Sequence, residues 1–286
     1  MPTSKQRRQA AQRHLQKQLE RRSELAKRRR RNLGIVATLV AVAVVVVAAL
    51  VITGVFSSDS SSSNAAGSSS SSATAASTSS AAPTTNADGT ITCTYSPDKS
   101  GNTNLKDVGT PPKPEATPTQ GMATLLMKTS QGDLTLTLDR TKAPCAAASF
   151  AYLAQKKFFD GSPCHREVNE PTFGVLQCGD PTGSGSGGPT YKFAQEVPAG
   201  TTYPRGTIAM ANTGQPNTAA SQFFFVTKDS NTGLQKKYTV IGHVTKGLDI
   251  LQQVAAGGSD DSAGAAGGGT PKLPLRFAAV KIVSSG

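Results

Sequence analysis

The stretch Pro204–Thr227, PRGTIAMANTGQPNTAASQFFFVT, constrains the fold of this chain more than any other. It reads as two short apolar strands, Gly206–Ala211 and Gln222–Thr227, joined by a polar loop rich in Gly, Asn, Pro and Thr. Side chains alternate faces along a strand, so Phe223 and Phe225 share one side and Phe224 takes the other. One aromatic face must fill a core while the other is available to a second surface.

A foldable region surrounds this hairpin. Ala123–Thr129 and Leu134–Leu138 flank Ser130-Gln131-Gly132-Asp133 as a second hairpin. Ala143–Lys157 places Phe150, Leu153 and Ala154 at helical spacing, with Pro144 tolerated in the first turn. Strand-like pieces follow at Pro163–Val168, Val175–Cys178, Lys192–Val197 and Thr239–Val244, then a helix over Leu248–Ala256 and a last strand over Phe277–Val283. Short strands with two helices predict a mainly β fold, a closed barrel capped by helices.

The residues before this region cannot build a core. Net charge is +12, but residues 1–32 hold twelve Lys/Arg against two Glu, which accounts for +10 of it. The basic charge is a tail, and no base-reading module accompanies it, so no nucleic-acid partner is expected. Residues 5–31 read as a solvated cytoplasmic segment or one lying on anionic lipid headgroups. From Leu33 to Phe56 the chain is uncharged and apolar, long enough for a transmembrane helix and too long for a cleaved signal peptide. Arg28–Arg31 precede it, which places the N-terminus in the cytoplasm and the rest outside. Residues 57–90 are a Ser/Ala/Thr-rich tether expected to be disordered. Residues 91–121 form a Pro-rich collar that is expected to pack onto the domain through Cys93. The domain itself spans 122–286.

Competing chemistry finds little support. Gly183–Gly188 imitates a phosphate loop but lacks the following Lys-Ser/Thr and helix. Cys164 and His165 are strand neighbours pointing to opposite faces, which excludes a thiolate–imidazole pair. Four Cys and three His show no metal-ligand spacing, so neither metal nor cofactor is expected. All four cysteines lie after the apolar span, where disulfides persist, and three connectivities are open.

Met210-Ala211-Asn212, Gly214–Thr218 and Ser221–Phe224 together resemble the MAN…GPNTNGSQFF segment of the cyclophilin family of peptidyl-prolyl isomerases. Phe158–Asp180, FFDGSPCHREVNEPTFGVLQCGD, resembles that family's second signature through His165, Arg166, Gln177, Gly179 and Asp180. The resemblance implies an eight-stranded barrel, no cofactor, and proline-containing segments of unfolded or exported proteins as partners. It implies that Arg166 is the catalytic donor, that Phe224 and Leu234 hold the proline ring, and that Gln177, Ala211 and Asn212 hold the substrate's peptide groups. His165 is implied to be structural. Three departures stand out. The segment Glu167–Gly174 is longer than the family's Arg-to-Gln spacing, which leaves either Val175 or a shifted Phe173 as one wall of the pocket. Tyr238 replaces a pocket-edge histidine, as in other bacterial members. Gly233 stands where many members have a tryptophan, which implies weaker cyclosporin contact. The family register also favours Cys164–Cys178 with Cys93–Cys145. A bacterial, membrane-anchored isomerase assisting exported proteins is the expected function. The alternative is a proline-binding chaperone or scaffold with weak catalysis, suggested by the long hairpin.

Overall fold

The computed structural model describes residues 85–229, 232–264 and 267–285. The basic tail, the apolar span 33–56 and the tether up to residue 84 lie outside the described residues. Among the described residues no helix is long and apolar enough to cross a membrane.

Eight strands form one antiparallel sheet: β1 (Met122–Thr129), β2 (Gly132–Asp139), β3 (Arg166–Glu170), β4 (Phe173–Cys178), β5 (Thr207–Met210), β6 (Phe223–Val226), β7 (Val240–Lys246) and β8 (Phe277–Ser285). Their order is β8-β1-β2-β7-β5-β6-β4-β3. Two helices, α1 (Pro144–Gln155) and α2 (Leu248–Gly257), complete the mainly β fold. The closed barrel expected from the sequence is corrected in one respect: among the described residues, no ladder joins the end strands β3 and β8. The physical reason lies in what flanks them. Glu167 bonds to the loop at Gly269 rather than to β8, and Pro163 meets Arg276 in an isolated bridge before β3 begins.

Burial alternates along β1 and along β2 up to Leu138, with Leu125, Met127, Leu134, Leu136 and Leu138 fully buried. These residues meet Phe150 and Leu153 of α1 and Leu251 and Val254 of α2 in the main core. Phe150, Phe159, Phe223 and Phe277 stack edge or face within it, at centroid separations of 4.9–6.1 Å. Such ring pairs add to the area they bury.

The strand expected over Lys192–Val197 is a second correction. Only Tyr191–Lys192 pairs, and with Ser96–Pro97 of the collar. Beyond it the chain acts as a strap. Phe193 bridges Ala219, and Gln195 donates from Nε2 to the Gln215 carbonyl. Glu196 accepts the backbone N–H groups of Cys145 and Ala146, 3.0 and 2.8 Å away. Those groups are orphans of the α1 N-terminus, and Ala143 at the N-cap has no side chain to satisfy them.

The collar is built onto the domain. Cys93 is bonded to Cys145, and Cys164 to Cys178, so both pairs follow the implied connectivity. Tyr95 donates its hydroxyl proton to the Cys145 carbonyl. Leu105–Lys106 pairs in parallel with Gly188–Pro189. Of the tether, residues 85–90 are described: Asn86 bonds Thr90 and the Glu115 carbonyl, and Thr90–Ile91 pairs with Thr117–Pro118.

Candidate active site

The sheet register places one row of side chains across five strands. Arg166 of β3 faces Gln177 of β4, which faces Phe224 of β6, then Ala209 of β5 and Val240 of β7. This row lies on the face opposite to Phe223 and Phe225, as strand alternation demands. Beneath it, Val168, Val175, Tyr203, Ala209, Phe224 and Val226 form a second, smaller apolar cluster.

Above that cluster opens a cleft of about 310 Å³. Arg166, Phe173, Val175, Gln177, Ala211, Asn212, Phe224, Leu234 and Tyr238 all line it, so every site residue named from the sequence is brought to one place. Phe173 and Val175 are two residues apart on β4 and share the cleft face with Gln177. Both Phe173 and Val175 therefore line the cleft.

The long segment 167–174 is not a loop. Its extra residues lengthen β3 and β4 up to Glu170 opposite Phe173, and only Pro171-Thr172 turn. That turn explains Gly233 as well. A Cβ on Gly233 would come within 2.6 Å of the Thr172 hydroxyl and 3.0 Å of the Phe173 ring, and Gly233 donates its N–H to the Thr172 carbonyl. The tip of the hairpin thus occupies the room that a side chain at position 233 would need.

Arg166, Gln177 and Asn212 are each held by a second polar group. Arg166 donates from Nε to the Gly267 carbonyl (3.0 Å) and from Nη1 to Gln177 Oε1 (3.2 Å). Gln177 donates from Nε2 to Gln222 Oε1, and Gln222 donates to the carbonyls of Gly185 and Gly187. Asn212 donates to the Lys237 carbonyl and accepts from the Gly214 N–H. Tyr238 stands edge-on to Phe224 at 5.1 Å. Its backbone is clamped by Tyr203, whose hydroxyl donates to the Tyr238 carbonyl and accepts from the Tyr238 N–H, both at 2.9 Å.

Burial lowers the Arg166 pKa from its usual value, opposed by Tyr238, yet a guanidinium remains charged at working pH. Burial, with Arg166 adding to it, lowers that of His165 on the opposite face, against Asp180. No group of three or more metal-ligating side chains occurs among the described residues.

Sequence reasoning missed Tyr203, whose partner lies 35 residues away with no local pattern linking them. Gln222 had a signal, because in Ser-Gln-Phe-Phe it lies two residues before Phe224, immediately ahead of β6. Gln235 and Lys237, which also line the cleft, lie in an irregular segment without periodicity.

The chain belongs to the family described as cyclophilin type peptidyl-prolyl cis-trans isomerase/CLD, whose model matches residues 124–272. It is 42% identical over 178 residues to the probable peptidyl-prolyl cis-trans isomerase B of Mycobacterium tuberculosis, covering 57% of this chain and 56% of that protein. To the protein of the same description in Mycobacterium leprae it is 41% identical over 189 residues, 61% of each. The match thus spans less than two thirds of these relatives' length. A crystal structure of a Cryptosporidium parvum cyclophilin type peptidyl-prolyl cis-trans isomerase is similar at TM-score 0.50 and 28% identity, covering 57% of this chain and 98% of that one.

Proposed function

We propose that this protein is a peptidyl-prolyl cis–trans isomerase, anchored by one transmembrane helix over 33–56, that accelerates folding of exported proteins at the outer face of the membrane. The observation that carries the catalytic reading is the row Arg166–Gln177–Phe224 across β3, β4 and β6. Rotation about an X-Pro bond is opposed by amide resonance, a barrier of ~18–20 kcal/mol. A donor aimed at the prolyl nitrogen favours the twisted state, in which the lone pair leaves conjugation. The proline ring sits on Phe224 between Leu234, Phe173 and Val175, while Gln177 and the backbone at Asn212 hold the flanking peptide groups. Arg166 then reaches the nitrogen with its plane fixed by Gly267 and Gln177.

The membrane reading is supported by the uncharged run 33–56 behind Arg28–Arg31 and by two disulfides, which persist in oxidising compartments. The basic segment 5–31 is on this reading a solvated cytoplasmic tail or one lying on anionic lipid headgroups. Isomerisation of a prolyl peptide by the full chain tests the catalytic reading; peptide binding without turnover would favour a chaperone or scaffold. Protease added to cells with a permeable outer wall should release the domain by cutting before residue 85. Protection of the domain until the membrane is breached would overturn the topology.

A further inference from the structure

A second cleft, also of about 310 Å³, adjoins the first and shares Gln177, Ala211 and Asn212 with it. One side is the loop Gly185–Pro189, held from within by Gln222. The wall that adjoins this loop is not part of the family-matching segment at all: Asp98, Ser100, Asn102 and Leu105 come from the collar. We propose that the collar is a specificity-determining part of the substrate site, which selects an uncharged, hydrogen-bonding side chain one to three residues from the proline in the bound peptide. This rests on the isomerase reading above.

The wall is rigidly placed. Asn102 donates from Nδ2 to the Ser186 carbonyl at 2.7 Å, and Asn104 donates to the Ser186 hydroxyl at 2.8 Å. Parallel pairing at Leu105–Lys106 and antiparallel pairing at Ser96–Pro97 fix both ends, and Cys93–Cys145 anchors the chain upstream. A wall fixed at several points costs little ordering when a ligand arrives, which is what a recognition surface requires.

The lining sets the chemistry. Asp98 is ion-paired with Lys192 at 2.9 Å and its side chain is only 6% exposed, so the two charges cancel where they face the cleft. The uncharged polar side chains that line it include Ser100, Asn102, Ser186, Thr213 and Thr218, with Leu105 among the apolar contacts. Amides and hydroxyls without net charge suit a side chain such as glutamine or threonine. Because the clefts share residues, and an extended chain advances ~3.3–3.6 Å per residue, one peptide reaches both.

The test uses full-chain protein and peptides with one proline among alanines, in which each alanine within three residues of the proline is replaced in turn by glutamine, glutamate, lysine or leucine. At one position glutamine should raise kcat/KM over alanine by about 2- to 10-fold, the worth of one net hydrogen bond. The gain should lie in KM, and glutamate, lysine and leucine should not reproduce it. Asn102→Leu and the exposed-site variant Ser100→Trp should each bring the glutamine-to-alanine ratio close to one, with circular dichroism confirming the fold. A ratio near one at every position in the wild type, a stronger gain from a charged residue, or a ratio unchanged in both variants would overturn the proposal. Calorimetric affinities for the same peptides read the same ratio. If turnover is absent but the affinity ratio and its loss persist, the isomerase reading has failed and the collar site stands.

Discussion

The two faces of β6 carry the same residue and do different things with it. Phe223 and Phe225 are fully buried; Phe223 meets the rings of Phe150, Phe159 and Phe277, and Phe225 meets that of Phe223. Phe224 is nearly as buried, at 4% exposed, but its ring partner is Tyr238 at the edge of an open cleft. Burial alone therefore does not tell structure from site. What differs is the far side: two helices close over one face, and among the described residues only loops held by side-chain hydrogen bonds border the other. An apolar surface kept in place and left uncovered is what a proline ring can enter.

The sharpest way to break this comparison is to truncate both rings. Phe223→Ala removes a core ring that its neighbours cannot replace and should cost about 3–5 kcal/mol of stability. Phe224→Ala should cost less, about 1.5–3 kcal/mol, because water and Tyr238 can move into an already open site. Its larger effect should be on prolyl-peptide binding and turnover together. Denaturant unfolding with an isomerisation assay measures both, and equal stability losses with activity kept in Phe224→Ala would erase the distinction.

The disulfides extend the comparison to the collar. Cys93–Cys145 closes 52 residues and Cys164–Cys178 only 14. By chain-entropy accounting the first is worth about 4 kcal/mol and the second about 3. The paired alanine variants, unfolded in denaturant, should rank in that order. The reverse ranking would mean that the collar is held by its other contacts and not by the bond.

A smaller effect comes from Glu196 at the start of α1. Burial pushes its carboxyl up to about 7, against the two N–H groups that pull it down. The folded state then holds a proton that the unfolded chain, near 4.5, has released, so stability should be greatest below that value and fall as pH rises toward 7. Above 7 this contribution is constant. Glu196→Gln should flatten that slope in unfolding midpoints taken from pH 4.5 to 8. An unaltered slope would assign the pH dependence to another group.

Where pattern and local chemistry agreed, the sequence was readable. Alternation in β1 and β2, the i, i+3, i+4 spacing of α1 and the split of Phe224 from its neighbours each follow from one element's own residues. Seven of the residues that line the cleft fall within the two family-like signatures, and Leu234 and Tyr238 were reached only through the same resemblance. Long-range substitutions were not readable. Glu196 caps a helix 51 residues away, and this turned an apparent strand over Lys192–Val197 into a strap. Tyr203 clamps Tyr238 from across a loop. Nor could spacing reveal that extra residues after Arg166 would extend two strands, or that the hairpin tip would occupy the room of a side chain at position 233. The wall that the collar adds to the second cleft depends on pairings more than 80 residues apart, which no window of sequence contains.

The central claim is that the uncovered face performs catalysis through Arg166. Replacing it with alanine should lower prolyl-peptide turnover by roughly a hundred- to a thousandfold, the usual loss for one charged donor to a transition state, ~2.7–4 kcal/mol. Peptide affinity should change far less, because the interaction strengthens only as the nitrogen pyramidalises. Arg166→Lys should recover little, since a flexible ammonium lacks the planar donor geometry that Gly267 and Gln177 hold in place. The decisive measurement is kcat for the full chain and these two variants on one prolyl peptide, with circular dichroism to confirm folding. Loss of kcat with affinity kept is the predicted result; near-full turnover in Arg166→Ala would contradict the account.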